Sequence, residues 1–260
     1  DRRQRQMCIR DRYYIPLYII IFLFGIVIGS FLNVCIYRLP LKENIATTGS
    51  HCMSCGHRLR WYDLVPLFSW LQLGGKCRYC KAKISVQYPL IEAMNGIGYV
   101  LIFIINDINI DSILLCLFFS ALVVLSVIDW RTYEIPIGVN ITILVLGVLR
   151  SALDYHNIVS HLIGFVCVSA FLLLLILITG GRAMGGGDVK LMAAAGLFLG
   201  WREVTLGFFL GCIIGSVIHL LLMKFAHKGR QLAFGPYLSS GMVIAMLFGD
   251  NLIKWYLGLF

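Results

Sequence analysis

Long apolar runs separated by short polar segments dominate the chain and predict membrane-spanning helices. A transmembrane helix needs about 20 predominantly apolar residues, so several of these runs are at the short end of the range. The first run covers residues 13–37, and the others lie at about 89–105, 112–129, 136–150, 157–180, 188–200, 203–224 and 236–258. The pattern predicts an all-α polytopic membrane protein with about eight transmembrane helices.

Two polar stretches interrupt this pattern. Residues 1–12 are rich in arginine and differ sharply from the apolar run beside them, and we interpret them as a flexible tail or a non-native remnant. Residues 38–88 form the only sizeable polar segment, and we expect a small domain there, between the first and second helices. Residues 89–260 then make up the transmembrane bundle.

The composition agrees with a membrane protein and argues against a nucleic-acid partner. The chain is 59% hydrophobic and 13% charged, whereas soluble domains average about 25% charged residues. The net charge of +9 could indicate nucleic acid. However, the basic residues are spread over turns between apolar runs, as expected for a protein oriented in a lipid bilayer.

The basic residues also predict the orientation of the chain. Lysine and arginine accumulate in cytoplasmic loops, so residues 38–88 are expected to be cytoplasmic. The turns on that side then carry Arg131, Arg182, Lys224, Lys228 and Arg230, and the opposite side keeps only Arg150, Arg202 and Lys254. This orientation places Asp129 and Asp188 near the cytoplasmic border.

Four cysteines in the polar segment predict a metal site. Cys52 with Cys55, and Cys77 with Cys80, form two Cys-x-x-Cys turns. Four thiolates from two such turns can close a tetrahedral zinc site, and a segment this small benefits from a metal crosslink. Two disulfides or a redox pair are the alternatives, but a cytoplasmic location argues against stable disulfides. We therefore expect structural zinc.

Two isolated acids at the ends of apolar runs are candidates for chemistry. Asp129 ends one run, and Asp188 follows Gly185, Gly186 and Gly187. A charged residue in a membrane is costly and calls for a function or a partner, and glycines allow a foreign backbone to approach closely. If the two acids meet, they can share a proton and activate a water. Alternatively, each lies among lipid headgroups, paired to Arg131 or Lys190.

At this point several motifs resemble a known family, the type IV prepilin peptidases. The resemblance rests on residues 29–40, the two Cys-x-x-Cys turns, and Tyr88-Pro89 followed by Glu92. It continues in Asp129 with Ile135-Pro136, and in Gly185-x-Gly187-Asp188-x-Lys190. The chain is thereby identified as a member of a family of intramembrane aspartyl proteases of the Gly-x-Gly-Asp type.

The resemblance implies a function and a set of site residues. Asp129 and Asp188 would be the catalytic pair, and Gly185, Gly187, Lys190 and Glu92 would support substrate approach. The enzyme would remove the short basic leader of a prepilin or pseudopilin after a glycine, at the cytoplasmic face of the bacterial inner membrane. It would then methylate the new N-terminus with S-adenosylmethionine. No Rossmann-type glycine loop predicts that second activity from the residues themselves.

Two other functions are compatible with buried acids in a membrane. A transporter or proton relay also carries intramembrane carboxylates, but it would be expected to show internal repeats, and the chain has none that we detect. A zinc-containing membrane scaffold without chemistry would leave the segment from Gly185 to Asp188 unexplained.

Overall fold

A computed structural model describes residues 2–45, 49–181, 184–226 and 233–258, with side chains described from residue 15 onward. The described chain is helical and contains no strand beyond two isolated bridges. It divides into two compact units, residues 1–108 and residues 109–260. Within each unit the helices pack against one another.

The first unit consists of two long helices and the polar loop between them. Helix α1 spans Arg2–Leu41, α2 is a short helix at Phe68–Gln72, and α3 spans Gln87–Asn106. Helix α1 begins at Arg2 and so includes most of the polar N-terminal residues. The third helix belongs to this unit, although the predicted bundle begins at residue 89.

Glycines bring α1 and α3 into close contact. A Cβ atom added at Gly25 would lie 2.6 Å from the Cα of Gly96, and one added at Gly29 would lie 2.8 Å from the Cα of Glu92. These separations leave no room for a side chain, so the Gly25–Gly29 face is the helix-packing face that its spacing predicts. The buried Asn95 amide donates to the Gly25 carbonyl oxygen across the crossing, at 2.8 Å.

The second unit is a six-helix bundle. Its helices are α4 (Ile110–Thr132), α5 (Ile137–Leu153), α6 (Ile158–Thr179), α7 (Gly186–Leu199), α8 (Trp201–Ala226) and α9 (Gly235–Leu257). Local signals set their ends: the Asn109 side chain caps α4, and Gly180 in the left-handed region ends α6. Helix α5 begins directly after Pro136.

Small residues also control packing in the second unit. Gly164 of α6 and Gly196 of α7 lie backbone to backbone, with no space for a Cβ atom at either position. Gly207, Gly211 and Gly215 form a close-packing face on α8, against Met242, Leu238 and Tyr237 of α9 respectively. Phe118 and Phe198 are fully buried and stack with ring centroids 4.2 Å apart.

Five helical stretches of the described chain are long and apolar enough to cross a membrane: Ile15–Leu41, Gln87–Asn106, Ile110–Thr132, Tyr155–Thr179 and Trp201–Phe225. Large apolar side chains on their outer faces are exposed, as expected for contact with lipid; Leu177 is 71% exposed. Helix α7 has 14 residues, about 21 Å, which is shorter than a hydrocarbon core of about 30 Å. The prediction of a multi-pass helical membrane protein is confirmed.

The residues used to predict orientation are only partly described. Arg131, Lys224, Arg150 and Lys254 lie on described helices, whereas Arg182, Lys228 and Arg230 lie outside the described residues. Arg150 is paired with Asp111, with contacts of 2.7 and 3.0 Å.

Candidate active site and metal centre

Asp129 lies in the last turn of α4, at the point where the chain leaves that helix. Its side chain is buried, and the backbone N–H of Gly235, the first residue of α9, donates a hydrogen bond to its Oδ2 at 2.8 Å. A Cβ atom at Gly235 would lie 2.8 Å from that same oxygen. Only glycine therefore allows this backbone to approach the carboxylate. Asp129 is held by a backbone donor at the start of another helix.

Asp188 lies in the first turn of α7. Gly185 precedes the helix in extended conformation, and Gly186 and Gly187 are its first two residues. A carboxylate at the start of a helix interacts favourably with the helix dipole and the free N–H groups there. Asp188 is 9% exposed and interacts electrostatically with Asp129. The two predicted acids are thus brought together from opposite ends of two different helices.

A cavity of about 580 Å³ opens between the two aspartates. This volume falls within the range of about 300–1,000 Å³ that is typical of ligand-binding pockets. The walls are partly apolar and partly polar, and both aspartates contribute to them. The other lining residues are Tyr133, Glu134, Ile135, Ile137, Asn140, Met184, Gly185, Gly187, Lys190 and Phe234.

The glycines before Asp188 have different surroundings. Apart from the adjoining residues, the nearest atom to a Cβ built at Gly185 is the backbone nitrogen of Gly187, 3.9 Å away. A Cβ built at Gly186 meets no atom of the described chain within 4 Å. At Gly187 a Cβ would lie 3.2 Å from the Ile135 Cβ. Gly187 therefore packs α7 against the turn after α4, while Gly185 leaves its side of the cavity open.

Sequence reasoning missed three residues of this site. Gly235 contacts Asp129, and Glu134 and Asn140 line the cavity. From the sequence alone, Glu134 is expected to be a solvated loop residue. Gly235 follows Asp129 by 106 positions, and no spacing rule connects two residues so far apart. The one available signal was Phe234-Gly235-Pro236, a break directly before the last apolar run.

The four cysteines of the polar loop form a second candidate site, in the first unit. They lie on two turns of the same design. The N–H of Cys52 donates to the His57 carbonyl oxygen at 3.0 Å, and the N–H of Cys77 donates to the Ala82 carbonyl oxygen at 2.8 Å. The residue after the second cysteine of each turn, Gly56 or Lys81, has positive φ. Each turn can therefore present two thiols to one point.

The geometry of the cluster fits a tetrahedral metal ion. Ligand sulfur atoms of Cys52, Cys55, Cys77 and Cys80 all lie within 4.8 Å of one another. With a zinc–sulfur bond of about 2.3 Å, a tetrahedral site places its sulfurs about 3.8 Å apart. The Sγ atoms of Cys52 and Cys80 are 3.8 Å apart. Backbone hydrogen bonds from Cys55 and Ser54 lower the pKa of the Cys52 thiol to about 6, which favours its thiolate form.

Glu92 of α3 contacts the backbone of the polar loop that carries the four cysteines. It is buried on α3, and its Oε2 accepts a hydrogen bond from the backbone N–H of Leu67 at 2.8 Å. Leu67 has φ 60° and ψ −52°, and the N–H of Phe68 donates to the Pro66 carbonyl oxygen at 2.6 Å. This is a γ-turn of the rare, strained kind with positive φ. The buried carboxylate thus secures an unusual turn beside α2.

Comparison with known proteins assigns the family. Residues 23–105 match the bacterial peptidase A24 N-terminal domain, and residues 116–220 match the type IV leader peptidase family. The chain belongs to the type IV leader peptidase family. The boundary between the two matched regions coincides with the boundary between the two compact units.

Curated relatives match along almost the whole chain. A prepilin leader peptidase/N-methyltransferase of Aeromonas salmonicida is 31% identical over 270 residues, which cover 92% of this chain and 93% of the relative. The protein of the same name from Aeromonas hydrophila is 31% identical, with the same coverage. The protein of the same name from Pseudomonas aeruginosa is 31% identical over 268 residues, which cover 90% of this chain and 91% of the relative. No solved structure matches the chain significantly.

Family membership confirms the prediction that the chain is an aspartyl peptidase of the inner membrane, and it argues against the transporter and scaffold alternatives. The cysteine cluster supports the predicted metal site. Cavity and cluster lie in different units of the chain.

Proposed function

We propose that this chain cleaves the leader of prepilin-like proteins, with Asp129 and Asp188 as the catalytic pair. The observation that carries the proposal is the cavity of about 580 Å³ in whose wall both buried carboxylates lie. The names of the relatives support the substrate class. Two acids from separate helices that share one cavity have the arrangement expected of an aspartic protease.

The reaction follows from the chemistry of a carboxyl pair that shares one proton. The ionised carboxylate removes a proton from a water molecule, and the water oxygen attacks the scissile carbonyl carbon. The protonated carboxyl donates a hydrogen bond to the carbonyl oxygen, so that negative charge is stabilised as the tetrahedral intermediate forms. When the carbon–nitrogen bond breaks, the leaving nitrogen receives the proton that the first carboxylate took from the water. The products are a carboxylic acid and a free amine.

Point mutants of the two acids test this proposal. The purified protein in liposomes is given a prepilin-type peptide, and cleavage is followed by mass spectrometry. Asp129→Asn and Asp188→Asn should each abolish cleavage, and the double mutant should lose no more than either single one, because groups that act as a unit are non-additive. Asp250→Asn, which changes an acid at the far end of α9, is the matched control. Substantial cleavage by either single mutant rejects the pair.

The proposal extends to the side of the membrane and to the second activity. The concentration of basic residues near both sites supports a cytoplasmic active site, where a basic leader would be found. The relatives are named N-methyltransferases, and we include methylation of the new N-terminus by S-adenosylmethionine. The described residues contain no strand that could form a Rossmann-type cofactor site, so the proposal assigns no residue to methyl transfer.

A further inference from the structure

Asn140 is the polar residue of the cavity that the two-aspartate chemistry leaves without a role. It lies in the first turn of α5 and lines the same cavity as Asp129 and Asp188. Its side chain is 93% buried, as the residue is only 7% exposed. Neither its Oδ1 nor its Nδ2 has a hydrogen-bond partner within the described part of the chain.

A buried donor or acceptor is unfavourable unless it has a hydrogen-bond partner, and the described residues supply none to this amide. Two other buried amides differ from Asn140: the Nδ2 of Asn95 donates to Gly25, and the Nδ2 of Asn33 donates to Gly29 and Tyr88, so that only the Oδ1 of Asn33 has no partner within the described residues. Buried polar groups in native proteins are nearly always paired, so an unpaired one in a residue that lines a cavity needs an explanation. Asn140 therefore calls for a ligand.

The chemistry of the side chain indicates what that ligand is. A carboxamide presents a donor and an acceptor side by side and carries no charge. Its complement is another amide, which offers the same two groups in reverse. A peptidase substrate brings its own backbone, whose N–H and C=O groups lose water when they enter the cavity and need new partners.

We propose that Asn140 binds the substrate main chain beside the scissile bond. Its Nδ2 donates to a substrate carbonyl oxygen, and its Oδ1 accepts from a substrate N–H. This inference rests on the proposed function, since it takes the cavity to be the peptide site. Because the contact is made to the backbone, it holds the chain in register with the two carboxylates without selecting any particular side chain.

Two variants separate loss of the amide from obstruction of the cavity. Asn140→Ala removes the amide and leaves space, whereas Asn140→Leu removes it and fills the space. Both should lower kcat/KM for a prepilin-type peptide by about tenfold to a hundredfold, the loss expected for one or two hydrogen bonds left unmade. Both should keep the Tm of the wild type, because the Asn140 side chain makes no hydrogen bond within the described residues. Ser151→Ala, at the other end of α5, removes a hydroxyl that already donates to Val148 and should leave kcat/KM unchanged.

A binding measurement makes the test independent of cleavage. In the Asp188→Asn background, the affinity for the same fluorescent peptide should fall about tenfold or more with either Asn140 variant. If the wild type does not cleave the peptide, the proposed function fails and this binding comparison alone decides the role of Asn140. Unchanged affinity overturns the inference. So does a loss of cleavage that only follows a lowered Tm, or a loss confined to Asn140→Leu, which would indicate obstruction.

Discussion

At the scale of single residues, the backbone N–H of Gly235 explains how a carboxylate is held at the end of a helix. Asp129 lies at the C-terminal end of α4, where the helix dipole disfavours negative charge. The first N–H of α9, that of Gly235, donates to the Asp129 carboxylate at 2.8 Å. The positive N-terminal end of the α9 dipole therefore faces this negative charge. A Cβ atom built on Gly235 would also lie 3.0 Å from the Leu125 Cδ2. A side chain at position 235 would therefore have to displace the Asp129 carboxylate or Leu125.

We expect Gly235→Ala to reduce kcat/KM for a prepilin-type peptide by about a hundredfold or more. The added methyl group must displace Asp129 or α9, and a shift of about 1 Å in catalytic geometry can cost a factor of that size. Gly249→Ala is the matched control on the same helix, because its Cβ would meet only ordinary contacts, the nearest at 3.4 Å. Steady-state cleavage rates of the two variants check this. Normal cleavage by Gly235→Ala would mean that Asp129 tolerates displacement.

Glu92 is the second residue whose role depends on one backbone contact. Glu92→Leu would leave the Leu67 N–H without its acceptor in a strained turn, and we expect the loop to loosen at a cost of about 1–3 kcal/mol. Limited proteolysis of residues 49–86 measures the effect. Glu43→Leu changes an exposed glutamate after α1 and should leave the digestion rate unchanged. Equal digestion of both variants would contradict a supporting role for Glu92.

Asp129 and Asp188 could be predicted individually from the sequence, because each is an isolated acid at the end of an apolar run. Their partners could not. The contact of Gly235 and the unpaired amide of Asn140 depend on how α5 and α9 pack against α4, and a single sequence does not contain that information. Glu92 shows the same limit: the sequence places an acid just inside an apolar run, but only the fold shows that it accepts a hydrogen bond from the Leu67 N–H.

At the scale of helices, glycines determine which pairs approach most closely. The contact between Gly164 of α6 and Gly196 of α7 brings the two backbones together near the C-terminal half of α7. In lipid, helices gain little from burial of apolar surface, so close packing of this kind is a main source of association. The position of α7, and with it that of Asp188, depends on such contacts.

Gly164→Ala should therefore destabilise the second unit by about 1–3 kcal/mol, the usual cost of overpacking. A Cβ atom there would lie 2.8 Å from the backbone carbon of Gly200, and backbone cannot move aside as a flexible side chain can. The same change at Gly138 of α5 meets no atom within 4 Å and should stabilise by about 0.5–1 kcal/mol, because alanine is the better helix former. Melting in detergent compares the two. A lower Tm for Gly138→Ala than for Gly164→Ala would overturn this account.

The apolar runs predict each long helix in the described part of the chain, and, apart from the start of α1, the predicted ends lie within a few residues of those observed. Runs of this kind are strong signals because a lipid environment demands continuous apolar surface and complete backbone hydrogen bonding. Lengths were harder to predict. Helix α1 extends back to Arg2 through residues whose composition predicts no helix, and α7 has only 14 residues although its run predicts a span.

At the scale of the whole molecule, the chain carries the cysteine loop in one compact unit and the helical bundle with Asp129 and Asp188 in the other. The loop has little apolar core of its own. Trp61 is 79% exposed and Phe68 is 61% exposed, so burial contributes little to its order. Instead, Arg78 of the second cysteine turn pairs with Asp63 at 2.7 Å, and the four thiols converge on one point. A metal ion at that point would connect both turns.

We therefore expect one zinc ion for each chain, bound by Cys52, Cys55, Cys77 and Cys80 in a structural role. Four thiolates complete a tetrahedral site and leave no open position for a water, so the metal would take no part in hydrolysis. Cys77→Ser should lower the metal content to near zero and make residues 49–86 sensitive to protease, because the metal binding energy of such a loop is also its folding energy. Cys116→Ser, a lone buried cysteine of α4, is the control and should keep its zinc. Metal analysis with thiol labelling decides the matter: metal-free wild-type protein with four reactive thiols in an ordered loop would show that no metal is needed.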